Sequence, residues 1–210
     1  MAHGKRSEET DGELLARWAE GHKDAGGELI ERHFATVYRF FRGRVMSERQ
    51  DLVQQTFLAC VEGRCRYQQQ GSFRAFLLGI ARHQLYAHYR KSRRESLDLS
   101  SRPLRDLGTS PTGMVARRES ERRLHEALRG LPLDTQLILE LAFWQGLDGA
   151  EIAEVMDVPV NTIYSRIHRA KASLGEKLRE LGEDRPASAL ALTALEQARG
   201  ASGPAEGWTV

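Results

Sequence analysis

The sequence predicts an all-α protein made of two small helical domains that are joined by a flexible linker. Apolar residues recur at steps of three and four through most of the chain, and no segment alternates with the period of two that marks a strand. A stretch rich in Ser, Pro and Gly, from Glu95 to Val115, interrupts this helical pattern. Two groups of amphipathic helices separated by such a stretch are typical of two domains and a linker.

The first group of helices is predicted within residues 11–94, after an N-terminal tail of residues 1–10. Thr10 and Glu13 have the spacing of a capping box that opens the first helix. The pair Gly26–Gly27 predicts a break before the second helix. A long amphipathic helix, running from Phe73 to Arg94, closes the group. Four helices that share apolar faces are expected to form the first domain.

The second group is predicted within residues 116–182 and contains a helix-turn-helix pattern. Asp148 and Glu151 form a cap for one helix, and Asp157 is a residue that tolerates the positive φ of a sharp turn. Pro159 can begin the next helix but could not continue the previous one. That next helix carries polar and basic groups suited to a DNA major groove at Asn161, Thr162, Tyr164, Ser165, Arg166, Arg169 and Lys171. An ordinary helical hairpin with a solvated basic face is the alternative. Residues 183–210 are expected to be a disordered tail, and a regulatory element that docks on one domain is the alternative.

Basic residues are concentrated in one part of the chain, although the formal net charge is only +2. Eight Arg or Lys and no Asp or Glu lie between Gly63 and Arg94. A stretch of that length without acidic residues predicts contact with a polyanion, because a solvated helix face normally carries both signs.

Several classes of protein are disfavoured by the sequence. No apolar run approaches the length that spans a bilayer, and the first residues lack the apolar segment of a signal peptide, so we expect a cytoplasmic protein without membrane insertion. Cys60 and Cys65 would then have no oxidising compartment to pair them, and their spacing is not that of a zinc site. We expect no metal and no cofactor. Ser, His and Asp are scattered over separate helices, so no catalytic residues are predicted and an enzyme is not expected.

Two motifs resemble one known family. The segment from Glu151 to Leu174 resembles the region 4 signature of extracytoplasmic-function (ECF) sigma factors, which belong to the sigma-70 family of bacterial RNA polymerase. The segment from Asp51 to Leu58 resembles the core-binding motif of region 2 in the same family. Phe73 to His83, together with the basic cluster from Tyr89 to Arg94, resembles the helix that melts and reads the promoter −10 element. The motifs stand in family order on either side of the linker.

The resemblance implies a function, partners and site residues. It implies a sigma factor that binds core RNA polymerase and directs initiation at specific promoters in response to an environmental signal, with promoter DNA as a second partner and an anti-sigma factor as a third. A stand-alone helix-turn-helix regulator is the alternative. Core-polymerase binding would fall to Asp51, Leu52, Val53, Gln54 and Phe57. Contacts with the −10 element would fall to Arg82, His83, Tyr86, His88, Tyr89, Arg90, Arg93 and Arg94, and −35 contacts to the helix-turn-helix residues named above.

This chain departs from the family pattern at a few positions. The family often has Trp where Phe76 stands and Asn where His83 stands. It often has Gly at the positions of Asp157 and Asn161, and Lys or Arg at that of Tyr164. These differences leave the expected fold intact and bear on which bases the protein prefers.

Overall fold

The computed structural model describes residues 9–42, 44–45, 47–63, 71–95 and 115–181, apart from the side chains of 93–95 and 115–121. Within these ranges the chain forms eight α-helices and no strand, which confirms the all-α prediction. Most of the predicted linker, the predicted C-terminal tail and most of the N-terminal tail lie outside the described residues. The helices are α1 (Asp11–Ala19), α2 (Lys23–Phe41), α3 (Arg49–Gly63), α4 (Phe73–Glu95), α5 (Val115–Arg129), α6 (Leu133–Phe143), α7 (Gly149–Met156) and α8 (Val160–Glu180).

Helix α1 begins with the predicted capping box. The Thr10 hydroxyl oxygen accepts a hydrogen bond from the backbone N–H of Glu13, and the Glu13 carboxylate accepts one from the N–H of Thr10 at 2.7 Å. These two bonds satisfy donors that a helix N-terminus otherwise leaves unpaired. The apolar face of α1 is buried against α2, with Trp18 only 8% exposed.

The predicted break at Gly26–Gly27 is wrong, because α2 begins at Lys23 and continues through both glycines. A Cβ atom on Gly26 would lie 2.5 Å from the indole ring of Trp18, whereas a Cβ on Gly27 would meet nothing within 4 Å. Gly26 therefore allows α1 and α2 to approach closely, and the favourable packing of Trp18 offsets the low helix propensity of glycine.

The helix-turn-helix geometry agrees with the prediction at each of its marker residues. The Asp148 carboxylate accepts the N–H of Glu151 at 2.8 Å, and the Glu151 carboxylate accepts the N–H of Asp148 at 3.0 Å. Asp157 ends α7 in the left-handed conformation, with φ 55° and ψ 52°. Pro159 stands at the N-cap of α8. The turn brings α8 back against α7, as in a helix-turn-helix motif.

The second group of helices packs directly on the first. One buried apolar cluster contains residues of α1 to α4 as well as Ile152 and Val155 of α7 and Ile163 of α8. Helix α4 lies against α7, where a Cβ on Gly79 would be 3.9 Å from the Cα of Val155. A smaller second cluster joins α5, α6 and α8 through Leu124, Leu128, Leu139, Leu174 and Leu178.

Candidate polymerase and nucleic-acid interfaces

Helix α3 presents a polar edge that is supported from beneath by an apolar face. Asp51 and Gln54, both predicted to contact core polymerase, are exposed on this edge. Leu52, Val53 and Phe57 carry the same prediction but are at most 8% exposed, because they form the contact between α3 and the core. Their contribution to a docking surface would be to hold the helix in position, whereas the two polar side chains are free to touch a partner.

Two exposed apolar side chains beside this edge were not predicted. Leu58 is 56% exposed and follows Asp51 by seven residues and Gln54 by four, so all three lie on one side of the helix. Phe34 of α2 is 49% exposed and its ring stacks on Phe57, with ring centroids 6.2 Å apart. Helical spacing alone would place Phe34 with Ile30, Val37 and Phe41 on the apolar side of α2. The helical spacing from Asp51 was a signal that could have identified Leu58.

The residues of α4 that are predicted to read the −10 element fall into an exposed set and a half-buried set. His83 and Arg90 are exposed, and they lie on the same side of the helix as the exposed Lys91. Tyr86, His88 and Tyr89 are half-buried, and so is Arg82, whose guanidinium lies over the Tyr86 ring at 5.1 Å from its centroid. The side chains of Arg93 and Arg94 lie outside the description. Among the described members of the predicted set, His83 and Arg90 are the most accessible to a nucleic acid in this arrangement.

Both tyrosine hydroxyls of α4 are engaged. Tyr86 donates a hydrogen bond to the carboxylate of Asp134, which belongs to α6 in the second group of helices. Tyr89 donates to the backbone carbonyl of Arg44 at 3.2 Å. Partial burial, followed by the hydrogen bond to Asp134, raises the pKa of Tyr86 to about 12, and burial also raises the pKa of Tyr89. Both phenols are therefore neutral donors at physiological pH.

Helix α8 has one continuous exposed stripe. Asn161, Ser165 and Arg169 lie on it, and so does His168, which was absent from the predicted set of contacts. The Arg169 side chain is held along the helix by a hydrogen bond from its Nε to the Ser165 carbonyl oxygen at 3.3 Å. A groove-reading surface on this stripe would combine amide, hydroxyl, imidazole and guanidinium groups.

The remaining predicted α8 contacts flank that stripe. Thr162 and Arg166 are half-buried on one side, and the Lys171 ammonium lies 5.2 Å from the centre of the Phe143 ring. Tyr164 is 51% exposed, and its ring lies against the start of α7, where a Cβ on Gly149 would be 2.8 Å away. These side chains suit phosphate contact at the edge of a groove better than direct contact with bases.

Cys60 and the described acidic and imidazole groups offer no sign of redox or metal chemistry. Burial raises the pKa of the Cys60 thiol to about 11, which keeps it protonated and unreactive. Cys65 lies outside the description. Among the described residues no group of three His, Cys, Asp or Glu is arranged to hold a metal ion. None of the described helices has both the length and the apolar content needed to cross a membrane.

Comparison with known families gives two matches in chain order. Residues 29–95 match the Sigma-70 region 2 family and residues 121–174 match the Sigma-70 region 4 family. The ECF RNA polymerase sigma factor BldN of Streptomyces coelicolor is 33% identical over 172 residues, covering 79% of this chain and 65% of that protein. The ECF RNA polymerase sigma-E factor of Haemophilus influenzae is 28% identical over 183 residues, covering 82% of this chain and 97% of the relative.

Solved structures agree with these matches. CnrH, in complex with the cytosolic domain of CnrY, has a TM-score of 0.57 and 26% identity, and covers 81% of this chain and 97% of CnrH. The sigma factor RpoE of Bartonella quintana, solved with the anti-sigma factor NepR, shares the fold at a TM-score of 0.58 and 20% identity. That match covers 73% of this chain and 96% of RpoE.

A region 2 bundle and a region 4 helix-turn-helix domain on one chain define a sigma factor, and this chain belongs to the sigma-70 family. Within that family its relatives are ECF sigma factors, as the two motifs had indicated.

Proposed function

We propose that this chain is an ECF sigma factor that binds core RNA polymerase and brings it to specific promoters. In this proposal the exposed edge of α3 docks on the polymerase, α8 reads the −35 element as a duplex, and α4 opens and holds the −10 element. The observation that carries the proposal is the occurrence of region 2 and region 4 together, in family order, on one chain. A stand-alone regulator would need the helix-turn-helix but would leave α1 to α4 without a role.

The affinity for promoter duplex, with and without core polymerase, separates these two functions. Each domain alone contacts few phosphates, so the free protein is expected to bind weakly at about 0.15 M salt. Core polymerase would hold both domains at one spacing, and the second contact would then become effectively intramolecular and raise the affinity. Tight, sequence-specific binding by the free protein would instead indicate a conventional regulator.

Substitutions on α8 test how the −35 element is read. Arg169→Ala is expected to lower transcription by an amount that depends on the −35 sequence, because losing one good base contact costs about 1–3 kcal/mol. Arg166→Ala, at a half-buried position, is expected to lower transcription to a similar extent with every −35 sequence. Arg179→Ala, near the far end of α8, is the matched control. If Arg169→Ala lowers transcription equally with every −35 variant, Arg169 contacts phosphate and not bases.

The resemblance also predicts an anti-sigma factor as a partner, and the lack of a long apolar segment in the sequence predicts a cytoplasmic location. Both stay predictions for this chain. A pull-down of the full chain from a lysate of its own host would test the first.

A further inference from the structure

Helix α2 has an exposed row of residues to which the proposed function gives no role. The members recur at steps of three and four along one side of α2 and its C-cap residue, and all of them are exposed. This α2 stripe consists of Asp24, Glu28, Glu31, Ala35, Arg39 and Arg42. Its charges are divided by position, because the first three members are acidic and the last two are basic.

The helix dipole does not account for this division. A carboxylate complements the dipole only within the first turn of a helix, and Glu31 lies eight residues after Lys23, where α2 begins. A hydrogen bond from Nε to the Ala35 carbonyl oxygen, at 3.2 Å, holds the Arg39 side chain along the helix. An exposed carboxylate and an exposed guanidinium therefore stand four residues to either side of Ala35.

An aromatic side chain borders the middle of the stripe. Phe34 is 49% exposed, and its ring stacks on those of Tyr38 and Phe57, with 6.2 Å between the ring centroids in both pairs. The two neighbouring rings hold Phe34 in place with half of its surface in water. Burial of that surface against a partner is favourable.

Two copies of the stripe are complementary when their helices run antiparallel. A two-fold axis beside Ala35 places the acidic end of one stripe opposite the basic end of the other, and symmetry repeats the contact. The small Ala35 at the axis allows the helices to approach closely, and both Phe34 rings come to the same side of the interface. A parallel pairing would oppose like charges, which is unfavourable.

We propose that this chain forms a two-fold symmetric homodimer in which the α2 stripes of two copies pair antiparallel. Phe34 also borders the α3 edge, so the dimer covers part of the surface that would meet core polymerase. This consequence, unlike the dimer itself, rests on the proposed function. One side of a 19-residue helix falls at the low end of interface sizes, below about 1,200 Å², so we expect a dissociation constant that is micromolar or weaker.

Charge reversal within the stripe tests the pairing, with sedimentation equilibrium of the full chain as the measurement. Glu31→Arg leaves a basic residue on both sides of Ala35, and Arg39→Glu leaves an acidic one on both sides. We expect either variant to raise the dissociation constant of the dimer at least about tenfold, because symmetry repeats each repulsion. Glu126→Arg, an exposed reversal on α5, is the control and should sediment like the parent.

Combining the two reversals should restore the dimer. The double variant Glu31→Arg with Arg39→Glu exchanges the charges and keeps the two ends complementary, so it should dimerise like the parent. An equimolar mixture of the two single variants should form a one-to-one heterodimer, although neither single variant dimerises alone. A loss of folding in one variant cannot produce this rescue, and circular dichroism checks that helicity is retained.

Three results would overturn the proposal: a parent chain that stays monomeric at about 0.2 mM, well above a micromolar dissociation constant, a dimer that survives both reversals, or a mixture that forms no heterodimer. None of these experiments contains polymerase or DNA, so their failure leaves the sigma-factor function standing.

A separate measurement tests the shared surface. Core polymerase added to the parent dimer should give complexes with one copy per core, and two copies per core would contradict the overlap. If the parent and the monomeric variants all fail to support transcription, the proposed function fails while the dimer stands.

Discussion

Phe40→Ala is expected to remove about 3–5 kcal/mol from the free energy of unfolding, the usual cost of emptying a fully buried aromatic site. Phe40 is 0% exposed, its ring meets Phe41 edge-on at 5.2 Å, and the Arg44 guanidinium lies 5.0 Å from its centre. For a chain of this size each kcal/mol lowers the thermal midpoint by about 2–4 °C, so the midpoint should fall by about 6–20 °C. Thermal unfolding followed by circular dichroism measures this shift.

Phe34→Ala is the matched control on the same helix. Phe34 is 49% exposed, so the same substitution there should cost about 1 kcal/mol or less. If Phe34 belongs to the polymerase-docking surface, this variant should nevertheless bind core polymerase more weakly than the parent. Equal loss of stability in the two variants would contradict the assignment of Phe40 to the core and Phe34 to the surface.

Asp51→Arg is expected to weaken binding to core polymerase at least about tenfold, which corresponds to about 1.4 kcal/mol. The substitution reverses a charge on the exposed edge of α3 while Leu52, Val53 and Phe57 keep the helix packed. It also places a cation in the first turn of α3, where the helix dipole favours an anion, so a small loss of stability is expected as well.

Competition binding with labelled core polymerase measures the effect of Asp51→Arg. Glu20→Arg makes the same change of charge at the exposed end of α1 and serves as the control. If both variants bind core as the parent does, with helicity retained, the α3 edge is not the docking surface.

The features that sequence predicted best are those fixed by local chemistry. The capping boxes at Thr10 and Asp148, the left-handed Asp157 and the start of α8 at Pro159 depend on residues within a few positions of one another. Motif order on the chain was also enough to identify the family. These features required no knowledge of which helices pack together.

The features that sequence missed depend on contacts between distant helices. Gly26 suggests a helix break in the sequence. In the structure the Trp18 ring fills the space that a side chain at position 26 would need, so the glycine serves helix packing. Phe34 belongs to an apolar repeat, and only the packing of α2 on its neighbours leaves it exposed. The bonds of Tyr86 to Asp134 and of Arg44 to Glu140 join residues 48 and 96 positions apart, and no periodic pattern links them.

Transcription in vitro with core polymerase, over a library of promoters with randomised −35 and −10 elements, tests the central claim most directly. The account predicts that core alone gives no specific transcripts and that adding this protein produces initiation from a defined subset of the library. That subset should share one −35 and one −10 sequence at a constant separation, because two domains on one chain read them together. Transcripts that are the same with and without the protein, or a selected duplex that the protein binds tightly without polymerase, would contradict the sigma-factor account.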